Sequence, residues 1–315
     1  MNRPLIDILE RWASSRGWPC ATGPIRLIDE VRRDIESRLQ AGEIDEGFYR
    51  SQMSWFTDAD ENPFPGASTI IAMAVPWPEH EVVFDCERGP VTAVIPPVYV
   101  QRNTIRVALQ GQLTGLFGGM YKFEPLPAPA KAIASRLGLV RYGRNNITYA
   151  DRYGSYHRLV GFISDMPFTT RGRSTAREPE CLPECAMCDA CRIACPTGAI
   201  VPDRFLIHAE RCLTFYNQTP GEWPAGIPSN VHTCVIGCLA CQLCCPANAS
   251  HIRRESTGVR FDAAETAAIL RDEAIADSPV GRSIRGKLHA LEIDEYAPLI
   301  GRNVRALLGN GSPPA

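Results

Sequence analysis

Two runs of closely spaced cysteines are the residues of this chain best suited to chemistry. The first is CAMCDACRIACP at residues 185–196, and the second is CLACQLCCP at residues 238–246. Thiolates two residues apart can wrap around one iron–sulfur cube, and a fourth cysteine, placed before a proline, reaches the other cube. The first run has this full spacing, so the sequence predicts a module that holds two [4Fe–4S] clusters.

The second run lacks one ligand of this pattern. Crossed ligation gives the first cluster Cys185, Cys188, Cys191 and Cys245. The second cluster takes Cys195, Cys238, Cys241 and one further thiolate. Spacing alone leaves two candidates for that position, which are Cys212 in ERCLTF and Cys234 in HTCVIG.

Zinc is the alternative metal, because it also binds pairs of cysteines two residues apart. Eight thiolates with two Cys-Pro endings fit two cubes better. Most of the 13 cysteines fall between positions 181 and 245, and such clustering indicates metal binding in a reducing compartment. The cysteines outside both ligand sets are interpreted as incidental thiols: Cys20, Cys86, Cys181 and Cys244.

Composition limits the class of protein. The 315 residues are 45% hydrophobic and 22% charged, enough for a substantial core in one or two domains. The formal charge of −2 excludes a global basic footprint for nucleic acid, although a local arginine patch is possible. Acidic residues interrupt the start, MNRPLIDILERW, and no apolar run approaches the roughly 20 residues that span a bilayer. We therefore expect a cytoplasmic protein without a membrane segment.

Hydrophobic periodicity predicts mixed helices and strands ahead of the cysteines. Helices are expected at 5–15, 25–39, 105–117 and 131–137, and strands at 69–75, 91–95, 147–149 and 158–163. This mixture predicts an α/β or α+β layer domain over 1–168, followed by a polar linker over 169–180. A ferredoxin-like dicluster module over 181–250 and a helical tail over 251–315, with helices at 264–270 and 296–308, complete the expected order.

Two clusters form an electron relay, which needs an acceptor. A free-standing carrier would need only the cysteine module, so the long segment ahead of it favours an acceptor site there. The alternative is an electron-transfer or activating protein that reduces the cofactor of a partner.

Four stretches resemble the epoxyqueuosine reductase family. They are CAMCDACRIACPTGAI, ERCLTFYNQ, GCLACQLCCPAN and RLGLVRYGRNNITYADRYGSYHRLVGFISDMPF. The match at ERCLTFYNQ selects Cys212 as the eighth ligand. The resemblance implies an N-terminal domain related to the reductive dehalogenase and nitroreductase-like layer folds.

The resemblance also implies a cofactor and a mechanism. Cobalamin in the N-terminal domain would receive electrons from the clusters and reduce an electrophilic substrate, while an acid supplies a proton. Alignment on Gly138 places Glu124 at the position of that acid. A different organic cofactor, or none, is a further alternative.

Several residues are candidates for cofactor contacts. Those in the last of the four stretches are Arg141, Arg144, Asn145, Asn146, Ser155 and His157. Tyr99 and Arg102, in YVQRNTIRV, are the two residues that resemble a further family segment. Arg141 and Arg144 stand where the family has Trp and Lys. The partners that the resemblance implies are an external electron donor of flavodoxin or ferredoxin type and a substrate that is either a small molecule or a modified tRNA.

Overall fold

The computed structural model describes residues 5–57, 64–168, 178–224 and 226–309. The chain forms two compact units whose segments alternate along the sequence. Unit 1 takes its residues from Met1–Pro76, Thr104–Cys188 and Asp203–Ala209, and unit 2 from Trp77–Asn103, Asp189–Pro202 and Glu210–Ala315. Each unit is described by itself.

Unit 1 is built on a four-stranded antiparallel sheet. Its strands are β1 (Cys20–Pro24), β2 (Thr69–Pro76), β5 (Phe123–Pro125) and β8 (His157–Ser164), in the order β1-β2-β8-β5. The central pair runs in register from Thr69 opposite Ser164 to Pro76 opposite His157. A small hairpin of β6 (Arg141–Tyr142) and β7 (Thr148–Tyr149) stands apart from this sheet.

Helices cover the sheet of unit 1. They are α1 (Leu5–Ser14), α2 (Leu27–Gln40), α3 (Glu46–Gln52), α4 (Ser54–Thr57), most of α5 (Arg102–Leu116) and α6 (Ala130–Arg136). Helices α2 and α6 pack together, and α6 lies against β2 and β8. The first seven residues of β2 are all buried, so this strand is covered on both faces.

Unit 2 contains a three-stranded sheet with a parallel pair. Strand β3 (Glu79–Cys86) lies between β4 (Gly89–Ile95), which is antiparallel to it, and β9 (Arg254–Phe261), which is parallel. Parallel strands need a long crossover connection. Here the crossover from β3 to β9 includes every cysteine of the two runs.

Three C-terminal helices cover this sheet. They are α10 (Ala263–Leu270), α11 (Pro279–Ala290) and α12 (Ala297–Leu308). Asp262 and Glu265 form a reciprocal capping box at the start of α10. Phe84 of β3 stacks on Phe261 of β9 with ring centroids 4.9 Å apart, and both rings are fully buried in the core of unit 2.

Short helices carry the cysteine segments. They are α7 (Ala190–Ala194), α8 (Leu213–Gln218) and α9 (Ala240–Leu243), with 3₁₀ turns at Pro183–Met187, Ala209–Arg211, Ser229–Val231, Pro246–Asn248 and Asp294–Tyr296. Within the described ranges no helix has both the length and the apolar character needed to cross a membrane.

The expected mixture of helices and strands is confirmed, as is the helical C-terminal tail. The tail also contains strand β9. The sequence analysis missed this strand, and among the other elements it also missed β1, β3, β5, α3 and α11. The sequence analysis divided the chain into consecutive segments that end at residues 168, 180 and 250. This division stays a prediction. Residues 169–177 of the expected linker lie outside the described residues.

Candidate metal centres

The loop with the first two cysteines of run one is held by Arg144 in unit 1. Cys185 lies in the 3₁₀ turn Pro183–Met187, and Cys188 ends that turn in an extended conformation. The Arg144 guanidinium donates to the Cys188 carbonyl (Nε, 3.1 Å) and to the Cys185 carbonyl (Nη2, 2.7 Å). The backbone N–H of Arg144 also donates to the Cys185 sulfur at 3.4 Å. One arginine thus contacts both cysteines of this loop.

Two matching helix-to-proline corners carry further cysteines in unit 2. Cys191 lies on α7 and Cys241 on α9, and these two helices pack against each other. Helix α7 is followed directly by Cys195-Pro196, whereas Cys244, still in an α conformation, separates α9 from Cys245-Pro246. Cys195 and Cys245 both have extended backbone angles, and a residue before proline is disfavoured in the α region. The Cys-Pro pairs therefore explain why neither helix continues past these cysteines.

The thiols of unit 2 lie close enough to affect one another. Burial, and then the neighbouring thiols of Cys238, Cys212, Cys191 and Cys195, hold the pKa of Cys241 well above its ordinary value. Iron binding would have to release these protons, because the thiolate is the form that binds metal.

The same effects act on Cys238. Burial raises its pKa to about 11, with Cys212 and Cys195 adding to the shift, while the Ala240 N–H and the Thr233 hydroxyl oppose it. No group of three or more His, Cys, Asp and Glu side chains in the described part of the chain is arranged to hold a metal ion. The pKa values of Cys238 and Cys241 are nevertheless raised in part by thiols of the other segments. The sulfurs of three separate segments therefore approach one another.

Cys212 and Cys234, the two candidates for the eighth ligand, have different surroundings. Cys212 precedes α8, and hydrogen bonds from Thr214 and Phe215 partly offset the rise of its pKa, which is caused by burial and by Cys195. Cys234 is completely buried and forms a parallel bridge with Val94 of β4. Its pKa is raised by burial and then by Cys238.

Tyr99 lies among these cysteines in unit 2. Its hydroxyl accepts a hydrogen bond from Gln218 Nε2. Burial raises its pKa, with Tyr296 and then Cys234, Cys212 and Cys238 contributing. Gly237, at φ +74°, has no room for a Cβ, which would lie 2.8 Å from the Tyr99 hydroxyl. Glycine at this position lets the backbone before Cys238 touch the tyrosine ring.

Polar residues that the sequence analysis missed tie the second run to α8 and α12. Asn303 donates to the Asn217 carbonyl at 3.0 Å, and Asn217 donates to the Gly237 carbonyl at 2.7 Å. Arg302 donates to the carbonyls of Tyr216 (2.7 Å), Thr219 (3.1 Å) and Gly221, and its guanidinium lies 4.2 Å from the Trp223 ring centroid. Complete burial of both asparagines was not readable from their local sequence.

The hairpin of unit 1 contains several of the predicted cofactor residues. Arg141 forms ion pairs with Asp151 (3.1 Å) and Glu180 (3.4 Å). Asn145 is buried and donates to the Tyr149 hydroxyl. The oxygens of Asn146 accept from Lys131, whereas its buried Nδ2 has no partner in the described residues. Asn146 Nδ2 is thus a donor that could serve a bound group.

Ser155 and His157 are buried at the start of β8. His157 Nδ1 lies 3.0 Å from the Gly154 carbonyl, and Nε2 lies 3.3 Å from Thr148 Oγ1. Donation to Gly154 and acceptance from Thr148 make this a neutral imidazole. Burial lowers the pKa of His157 to about 4, opposed by the Gly154 hydrogen bond.

The remaining predicted residues carry ion pairs. Glu124 lies on β5 opposite Ile163, with about a third of its side chain exposed, and pairs with Lys122 at 3.1 Å. Arg102, at the start of α5, pairs with Glu295 at 3.3 Å. Tyr99 and Arg102 belong to unit 2, whereas Glu124 and the hairpin residues belong to unit 1.

Residues 184–248 match the family model of the 4Fe-4S double cluster binding domain. Epoxyqueuosine reductase of Bacillus subtilis is 35% identical over 120 residues, which are 38% of this chain and 28% of that protein. The Pseudomonas aeruginosa epoxyqueuosine reductase is 32% identical over 135 residues, or 42% and 36% of the two chains. Over these segments the chain is similar to the epoxyqueuosine reductases.

Solved structures of the family share the fold. The Bacillus subtilis enzyme superposes with a TM-score of 0.69 at 21% identity, covering 97% of this chain and 81% of that one. The Streptococcus thermophilus enzyme gives 0.67 at 19% identity, with 97% and 80% coverage. The expected resemblance, the expected fold class and the expected dicluster domain are thus confirmed. The sequence alignments span about a third of the curated relatives, and they do not extend to the roles of individual residues.

Proposed function

We propose that this chain is an iron–sulfur reductase in which two [4Fe–4S] clusters pass electrons to cobalamin for reduction of an electrophilic substrate. The observation that carries the iron–sulfur part is the match at 184–248. It coincides with the two Cys-Pro corners and the interacting thiols. The proposed ligands are Cys185, Cys188, Cys191 and Cys245 for the first cluster, and Cys195, Cys212, Cys238 and Cys241 for the second.

The surroundings of the thiols support Cys212 as the eighth ligand. Cys212 interacts with Cys195, Cys238 and Cys241, which are the other three proposed ligands of its cluster. Cys234 affects Cys238 but lies in the core beside β4. After anaerobic reconstitution we expect about 8 iron per chain. Cys212→Ala should lose about half of it, while Cys234→Ala should keep it; the reverse pattern would assign the eighth position to Cys234.

Cobalamin is supported by the resemblance of the 136–168 segment and by one feature of unit 1. The buried donor Asn146 Nδ2 fits a cofactor rich in amide groups, since it has no acceptor among the described residues. Arg141, Asn145 and His157 would have to share their present hydrogen-bond partners with the cofactor. When bound, cobalamin would supply a cobalt centre that accepts electrons, and Glu124 is the proposed proton donor.

A second candidate function is electron transfer to the cofactor of a partner without substrate chemistry. The ion pair of Glu124 with Lys122 and the satisfied ring nitrogens of His157 favour it, because both groups are already engaged. An external donor of flavodoxin or ferredoxin type is proposed under both functions.

Titration with hydroxocobalamin under reducing conditions separates the two functions. Absorption changes that saturate at micromolar protein, with both clusters intact, support the reductase. Absence of binding would leave the electron-transfer function. If cobalamin binds, we expect Glu124→Gln to preserve binding and abolish turnover.

The substrate is proposed as either a small electrophile or a modified tRNA. One related epoxyqueuosine reductase structure contains a tRNA-Tyr epoxyqueuosine-modified stem loop. The formal charge of −2 provides no overall attraction to nucleic acid. Turnover of epoxyqueuosine-modified tRNA by the reconstituted protein, compared with unmodified tRNA as a control, tests this substrate directly.

A further inference from the structure

The turn that carries Arg144 is rigidly built. Gly143 donates to the Ile147 carbonyl at 2.8 Å, and Asn146 donates to the Gly143 carbonyl at 2.9 Å. The Asn145 side chain accepts from the Ile147 N–H and donates to the Tyr149 hydroxyl. A Cβ at Gly143 would lie 2.5 Å from Asn145 Oδ1 and 2.7 Å from Tyr149, so only glycine fits. These contacts fix the backbone from which Arg144 projects.

Arg144 uses this fixed position to hold the loop of the first two cluster cysteines. Its guanidinium joins the carbonyls of Cys185 and Cys188, three residues apart, through Nη2 and Nε. Hydrogen bonds from a charged donor are stronger than neutral ones, and the planar guanidinium constrains the direction of both. The separation of the two thiolates along the turn is therefore set partly from outside the cysteine run.

Two features of Arg144 favour extra negative charge at this loop. Its backbone N–H donates to the Cys185 sulfur at 3.4 Å, and its guanidinium carries a positive charge. Reduction of a [4Fe–4S] cluster adds one electron, and hydrogen bonds to the sulfurs and the local charge set its potential. Both features stabilise the reduced form relative to the oxidised form.

We propose that Arg144 is a positioning residue of the first cluster, which fixes the Cys185–Cys188 loop and raises the reduction potential of that cluster. The inference rests on the iron–sulfur part of the proposed function and is independent of cobalamin. It gives a hairpin residue, first considered for cofactor contacts, a function in the electron relay.

The test is a redox titration of the full-length, reconstituted protein followed by electron paramagnetic resonance. Dithionite supplies one electron per cluster. In Arg144→Met we expect the first-cluster midpoint to fall by about 59 mV, a tenfold change in the reduction equilibrium. The midpoint potential of the second cluster should be unchanged. Arg144→Lys keeps the charge but loses the planar fork, so its midpoint should lie between those of Arg144→Met and the wild type.

Arg152→Met is the matched control, since Arg152 is an exposed arginine that follows the same hairpin and donates to the Gly17 carbonyl at 3.5 Å. Its first-cluster midpoint should equal that of the wild type. Unchanged midpoints in both Arg144 variants, with iron retained, would overturn the inference and leave the iron–sulfur assignment intact. A wild type without clusters would instead overturn the proposed function.

Loss of iron in Arg144→Met is also informative. If Arg144→Met loses about four irons while Arg152→Met keeps all of them and both variants melt alike, the positioning part is supported. If Arg144→Lys then shows the wild-type midpoint, the effect of Arg144 is on retention of the cluster, and the part of the inference that concerns the potential is wrong.

Discussion

His157 is a buried histidine whose two ring nitrogens already have partners within unit 1. Its pKa is lowered to about 4 by burial, against an ordinary value of 6.5. The unfolded chain therefore binds a proton at this position at a higher pH than the folded chain does. The stability that the neutral ring contributes is present above pH 6.5 and is lost as the pH falls towards 4.

We expect unfolding by urea to report this loss. Between pH 7.5 and pH 5.5 the single group should cost about 1.4 kcal/mol. His157→Gln should remove that part of the pH dependence, even if the variant is less stable at pH 7.5. The pKa of His232 is also lowered to about 4, so the difference between variant and wild type isolates His157. Equal slopes in the two proteins would show that the imidazole titrates normally.

At the scale of single residues, the sequence identified the candidate ligands better than it predicted the contacts around them. The cysteines of the two runs could be named from spacing alone, because cluster ligation is a local pattern. The placement of Tyr99 beside Cys238 could not, since it depends on contacts across more than a hundred residues. Likewise, nothing local shows that Arg144 contacts two carbonyls about 40 positions away.

Among the elements, α12 stabilises the segment that follows Cys212. The Arg302 guanidinium donates to carbonyls at and beyond the C-terminal end of α8. The last carbonyls of a helix lack partners within the helix. A charged donor at that end satisfies them and is favoured by the helix dipole.

Arg302→Met should therefore loosen α8 and the cysteine that precedes it. We expect a loss of about 2–4 kcal/mol in stability and a lower iron content, measured by thermal unfolding and iron assay. Arg305→Met is the control on the same helix, because Arg305 donates to the Leu270 carbonyl at the end of α10 and pairs with Asp272, and neither contact involves α8. Its exposed ion pair is worth about 0–1 kcal/mol. Similar iron loss in both variants would mean that α12 acts through its general packing.

Strong local periodicity decided which elements were predictable. The strands Thr69–Pro76 and His157–Ser164 were found because each is a short, mostly buried apolar run. Helices α1 and α12 were found because their buried apolar residues recur at helical spacing. Strand β9 has only one fully buried residue, Phe261, and is a strand because β3 pairs with it. Helix α11 had a readable start, Ser278 followed by Pro279, that the sequence analysis passed over.

At the scale of the whole molecule, all 13 cysteines precede the elements that complete the core of unit 2. A chain truncated after His251 keeps every proposed ligand but loses β9, α10, α11 and α12. Because these elements supply most of the buried core around Phe84, we expect the truncated chain to aggregate or to hold little iron. Co-expression of the missing segment should restore iron binding. A soluble truncated chain with about 8 iron would contradict this expectation.

The parallel pairing of β3 with β9 also has a consequence for synthesis on the ribosome. The β3–β4 hairpin emerges early, and its outer edge stays unpaired until the chain reaches Arg254. At ordinary elongation rates that interval is on the order of ten to thirty seconds. An exposed strand edge invites pairing with other chains. The nascent protein thus has a period in which a chaperone, or early insertion of iron, would determine how much of it reaches the folded state.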